Sequence, residues 1–239
     1  MNRVCTLSLF LIRDLFRSLA SLVPLAAGFT FYGIAFEYGM DQAQFITVAG
    51  VGLGAICLLT ALLLSGRANR ASFYPFAARL PRRSELLAAV PLGSLAVTAV
   101  MALLMTEAAL LQHKLTLDFP SALWIIPTWL AFWLFMAALA LPLSSLVSRD
   151  GSHMVGYVLI TALLVANDRR SFLEERRLHW LSRAVTAILL PMATLLAQAS
   201  AGSYGRSYLL AMVLTVAYAG VLFGLATALL KHKDLLWPE

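Results

Sequence analysis

A chain of 239 residues that is 61% hydrophobic and carries charge at only 13% of its positions does not fit an ordinary soluble domain, where about 25% of residues are charged. The composition leaves no room for a sizeable soluble domain and predicts an all-α integral membrane protein. Its net charge of +6 is explained by arginines at the membrane faces, through the positive-inside bias and anionic lipid, and calls for no nucleic-acid partner.

In residues 1–18, Val4, Leu7, Leu11 and Leu15 fall on one helical stripe, with Arg3, Arg13, Asp14 and Arg17 elsewhere. The pattern predicts an amphipathic helix lying in the cytoplasmic interface. A signal peptide with residues 19–27 as its core is the alternative. The apolar stretch runs on past Gly28 to Phe36, which suits a first span over residues 19–36 better. A short acidic turn with Glu37 and Asp41 follows, then a second span over residues 45–65, long enough at about 1.5 Å per residue to cross a bilayer core. Gly50, Gly52 and Gly54 inside it lack the preceding strand of a nucleotide-binding fingerprint and predict close helix packing.

Between the second and third spans lies a basic island, residues 66–85, with Arg67, Arg70, Arg79, Arg82 and Arg83. One arginine at the bilayer centre costs about 2.5–3.5 kcal/mol, so five together belong outside the hydrocarbon, on the cytoplasmic side. The run Phe73-Tyr74-Pro75-Phe76 suits a loop that docks onto a cytoplasmic partner. The plainer alternative is a lipid-facing basic loop with its aromatics in the interface.

The third span is predicted over residues 86–111, with Pro91 tolerated in its first turns. Glu107 falls near its far end, as an interfacial carboxylate or as a polar group at the outer mouth of a pathway. His113, in the polar turn that follows, reads as a solvated histidine. A fourth span over residues 121–147 carries Trp124, suited to an aromatic belt, and Trp129 and Trp133, facing a partner helix or lipid. Glu107, Trp129 and Trp133 are the candidate pathway residues. Pro127 and Pro142 are candidate bends.

A tight cytoplasmic turn at residues 149–152 leads to a fifth span ending at Asn167. Residues 168–183 hold five arginines, yet alternation of spans places them outside; a cytoplasmic placement would need a re-entrant segment or a lost span. Under the outside placement Lys and Arg divide 11 inside to 7 outside. Residues 184–200, split by Pro191, are short for a span and predict a re-entrant hairpin. The last span, residues 207–230, closes on Lys231, His232, Lys233 and Asp234, a cytoplasmic end. The reading totals six spans with both termini in the cytoplasm.

This layout resembles the permease subunit of type-2 ABC exporters over nearly the whole chain. The most specific match is Leu80-Pro81-Arg82-Arg83-Ser84-Glu85-Leu86-Leu87, similar to the family's Pro-x-x-Arg-x-Glu-Leu-Leu stretch after the coupling helix. The family's upstream acidic residue and glycine, and its downstream Gly-Lys, are not clearly present. Lys231 to Leu235 resembles the basic-plus-Asp end of these permeases, and the segment around Pro191 resembles their extracellular hairpin.

The resemblance implies a single membrane domain over residues 1–239, with 1–18 as interfacial helix, 66–85 as cytoplasmic coupling loop and 168–206 as extracytoplasmic helices. It implies a prokaryotic inner-membrane location, a cytoplasmic ABC ATPase dimer as partner, and a second permease copy or homologue. Cofactors are expected only on that partner, as ATP and magnesium. Arg70, Phe73, Tyr74, Phe76, Arg79, Arg82, Arg83 and Glu85 are then the docking residues. The apolar pathway favours a lipid, a hydrophobic drug or a peptide.

The chain has no phosphate-binding loop, zinc motif or nucleophile elbow. With few intramembrane carboxylates, its energy is expected from a separate subunit. Two other functions remain open. A membrane anchor or assembly subunit needs no pathway. An intramembrane lipid-modifying enzyme would draw on Asn167, Asp168, His179 and Trp180.

Overall fold

The computed structural model describes residues 3–69, 83–118, 122–144, 146–147 and 191–232. Among these the regular structure is helical, with no strand beyond an isolated bridge between Met40 and Leu115. Among the described residues three helices are long and apolar enough to cross a membrane, or four if the bent N-terminal pair counts as one. They are α3 (Gln42–Ala68), α4 (Arg83–Leu111) and α6 (Arg206–His232). The bent pair comprises α1 (Arg3–Phe16) and a short 3-10 turn leading into α2 (Leu22–Ala35), the two legs meeting at 93°. A shorter apolar helix, α5, covers Ile125–Ala140.

The elbow between α1 and α2 falls where the stripe and the all-apolar span meet. On α1, Leu11 and Leu15 are fully buried and Val4, Leu7 and Ile12 partly so. The stripe therefore packs against α4 and α3, while Leu9, Phe10 and Phe16 face outward. The helix lies at right angles to α2, and its apolar stripe is directed at protein.

Pro127 and Pro142 do not bend a long fourth helix. Pro127 sits in the first turn of α5, where a missing N–H costs little. The helix stops at Ala140, and residues 141–144 and 146–147 lie in turns and bends. Pro142 has no N–H to continue the ladder, so the helix ends although Leu141 itself keeps α geometry.

Small residues set how closely the helices approach. A Cβ on Gly52 would lie 2.2 Å from the Phe31 ring of α2, and one on Gly54 would lie 2.4 Å from the Phe132 ring of α5. The predicted packing role of this glycine set is thus visible atom by atom. Several hydroxyls buried in these helices turn back on their own backbones: Thr60 donates to the Ile56 carbonyl, Thr128 to Trp124 and Thr215 to Ala211. That satisfies them without a partner in lipid; the Thr98 hydroxyl of α4 is buried with no hydrogen-bond partner among the described residues.

Two ends of the bundle can be distinguished. At one, α1 crosses the end of α3 and the start of α4. At the other, the turn before α3 meets the loop after α4. There Met40 donates to the Lys114 carbonyl at 2.8 Å, and the Asp118 amide donates to the Gln42 side chain at 2.7 Å. His113 adopts φ 53° and closes α4 in a left-handed cap, its amide bonded to the Leu110 carbonyl. It is exposed there.

Residues 191–200 are helical and bury Met192, Leu195, Leu196 and Ala199 before a turn at 201–205 leads into α6. This is one arm of the segment expected to form a hairpin. The preceding arm, and the candidate span over residues 153–167, lie outside the described residues. α6 packs chiefly on α5. Only 22% of its most apolar stretch is buried, against 61% for α3 and α4, so α6 lies at the rim.

Candidate functional site

At the end crossed by α1, the structure places Asp14 of α1 against Arg67 at the close of α3. Their side chains form an ion pair and hydrogen bond. Arg67 is buried, whereas the Asp14 side chain is 41% exposed. The pair clamps α1 to the base of the basic island. Across from it, Glu85 lies in the first turn of α4, where a carboxylate is favoured by the helix dipole. One of its oxygens is buried without a hydrogen-bond partner. Arg83 opens the same helix. The other docking candidates, Arg70, Phe73, Tyr74, Phe76, Arg79 and Arg82, lie outside the described residues. So do Asn167, Asp168, His179 and Trp180.

Nearer the opposite end, Glu107, Trp129 and Trp133 line one groove between α4 and α5, of about 460 Å³. Its α4 wall is built by Ala99, Leu103 and Glu107, and its α5 wall by Ile126 and Leu130. All five are exposed, so the groove opens sideways on the bundle. Its floor is aromatic: Phe45 and Trp129 lie 5.0 Å apart between ring centroids, and Trp129 and Trp133 lie 5.3 Å apart. Tyr32 and Phe36 extend the aromatic row away from the groove.

The two indoles are held by the backbone of α3. Residues Phe45–Ala49 form a π-helical turn near the start of that helix. The carbonyls of Ile46, within this wide turn, and Gly50, just after it, accept hydrogen bonds from Trp129 Nε1 at 3.1 Å and Trp133 Nε1 at 3.3 Å. A Cβ on Gly50 would come within 2.8 Å of the Trp129 ring nitrogen, so a side chain there would push the indole out of place. Sequence reasoning placed these tryptophans against a helix or lipid. They face the helix, and the groove sees their ring surfaces.

The polar inventory of the groove is short. The Thr106 hydroxyl donates to the Ala102 carbonyl at 2.7 Å, and both indole N–H groups are engaged. That leaves the Glu107 carboxylate, for which no ion pair is found; the ion pair found among the described residues is Asp14–Arg67. No group of His, Cys, Asp and Glu able to hold a metal occurs among the described residues.

Beside the groove, Trp124 stacks on Tyr204 at 4.9 Å, and both rings meet Tyr208 edge-on. The Tyr208 hydroxyl lies 2.8 Å from that of Thr128. In the turn before α6, burial first and the nearby Tyr208 second push the Tyr204 phenol above its ordinary value. This cluster ties α5 to α6 and escaped the sequence reading. Tyr204 and Tyr208 stand four residues apart, but Trp124 lies at least 80 positions away from both, and no periodicity links it to them.

No protein-family profile, curated protein or solved structure matches the chain.

Proposed function

We propose that this chain is the membrane-spanning permease subunit of an ABC transporter of the type-2 exporter kind. Its six spans move a hydrophobic or amphipathic solute across a prokaryotic inner membrane, with both termini in the cytoplasm. ATP and magnesium are handled by a separate ATPase dimer, and a second permease copy or homologue completes the pathway.

The observation that carries the reading is the bracing of the basic island's two roots. Residues 70–82 are joined at one side to α3 and at the other to α4, and these helices pack along one another. α1 lies across both roots and is clamped by Asp14 to Arg67. A push on the island is therefore delivered to two helices together, and from α3 through the Trp129 and Trp133 hydrogen bonds to α5. The distribution of charge supports the same orientation. Arg3, Arg13, Arg17, Arg67 and Arg83, against Asp14 and Glu85, gather at the α1 end, and Glu37, Asp41, Glu107 and Asp118, against Lys114 and Arg206, at the other.

In this reading Phe73, Tyr74 and Phe76 supply buried contact area to the ATPase, and Arg79, Arg82 and Arg83 pair with acidic groups or lipid phosphates. Replacing Phe73 and Phe76 together by Ala should weaken capture of the co-expressed ATPase by at least about tenfold, as for paired aromatic hot spots. Stimulated ATP turnover should fall with it. Unchanged capture and unchanged turnover would remove the docking role.

A further inference from the structure

We infer that the groove between α4 and α5 is a binding site for a single-chain or drug-sized amphiphile with a cationic head, whose charge is met by Glu107 and whose apolar part lies over Trp129 and Trp133. As a substrate class this rests on the permease reading; as a binding site it does not.

The argument starts from what the groove can offer. Its walls are apolar, and its hydroxyl and both its indole N–H groups already donate to backbone carbonyls. A ligand rich in acceptors, such as a phosphate or a carboxylate, would find no donor there and would face a like charge at Glu107. A ligand cation finds the reverse. It meets a carboxylate with no ion-pair partner among the described residues, and in the same groove the rings of Trp129 and Trp133, of a kind that attracts cations through the ring quadrupole. Charge complementarity thus selects the head group.

Position and size select the rest. Glu107 lies one turn before the end of α4 at Leu111, where a head can reach the interface. Trp133 lies two turns further along α5 than Ile125, its first residue, deeper in the bundle. The polar contact and the aromatic floor are therefore arranged as a head and a tail. A volume of about 460 Å³ falls within the roughly 300–1,000 Å³ of sites for drug-sized ligands. The groove opens sideways through Leu103, Ile126 and Leu130, all exposed, so a molecule already dissolved in the bilayer enters without crossing water.

The test uses the full chain in nanodiscs of a zwitterionic lipid. Three single-chain amphiphiles carry the same brominated tail, which quenches tryptophan on contact, and differ in head: trimethylammonium, maltoside and sulfate. The trimethylammonium compound should quench saturably with an apparent Kd about three- to fivefold below the other two, the difference one partly screened ion pair supplies. Glu107→Gln, which keeps shape and removes charge, should bring the cation to the level of the maltoside. Leu103→Phe, which fills the groove from its rim, should weaken all three.

Equal quenching by the three heads overturns the proposal, as does selectivity that survives Glu107→Gln. Competition by an amine-headed two-chain lipid as strong as that by the single-chain cation, or disulfide crosslinking of two copies through Leu103→Cys, would show a different occupant and overturn it too. Failure to capture an ATPase would sink the permease reading and leave these binding results standing; loss of head-group selectivity would do the opposite.

Discussion

At the residue scale, glycines of one helix type divide by what surrounds them. An added methyl at Gly52 or Gly54 meets an aromatic ring at 2.2 or 2.4 Å, whereas at Gly220 or Gly224 of α6 it meets nothing within 4 Å. Gly52→Ala and Gly54→Ala should lower unfolding stability in detergent by about 1–3 kcal/mol, the usual cost of overpacking. Gly220→Ala and Gly224→Ala should be neutral or raise it by about 0.5–1 kcal/mol through helix propensity. Trp129→Phe keeps the ring stack and removes the donor to Ile46. It should cost about 1 kcal/mol, read by the same unfolding assay. Tyr204 supplies a pH-dependent mark. Its phenol is held above its ordinary 10 in the fold, so the folded state keeps this proton longer than the unfolded state does. The contribution is complete below the unfolded value and is lost as pH rises through the folded one. Phenolate absorbance should show a late-titrating tyrosine that disappears in Tyr204→Phe.

At the element scale, the apolar stripe of α1 and the limits of α3, α4 and α6 follow from periodicity and charge, and the expected boundaries fall within a few residues of the observed ones. Three features are not legible that way. The π turn at Phe45–Ala49 has no signature in residue type. The end of α5 at Ala140 depends on Pro142 acting as a terminator, where a bend was equally compatible with the sequence. The Asp14–Arg67 pair joins positions 53 apart, a spacing that no helical period connects. For the groove, Glu107, Trp129 and Trp133 are each conspicuous by type, but their common cavity depends on the crossing of two helices. Asp14→Asn should loosen α1 by about 1 kcal/mol, discounted because the carboxylate is 41% exposed. Limited proteolysis near Ser18 should accelerate, and Asp14→Glu should restore much of the protection.

At the scale of the whole molecule, the orientation proposed from charge can be read directly. Single cysteines at Asn69 and Lys114, in a chain freed of Cys5 and Cys57, occupy opposite ends of the bundle. A membrane-impermeant thiol reagent applied to intact cells should label Lys114→Cys and spare Asn69→Cys. The reverse pattern would invert the bundle and place the arginine-rich island outside, where no ATPase could reach it.

The clamp between α1 and α3 also imposes an order of events during synthesis. Asp14 leaves the ribosome long before Arg67, and the α4 surface that receives Leu11 and Leu15 follows later still. Until those helices have been inserted, the stripe on α1 has only lipid head groups and acyl chains to rest on. Its amphipathic character thus serves a nascent chain waiting at the bilayer surface, and docking of the first helix becomes one of the later steps in assembling the bundle.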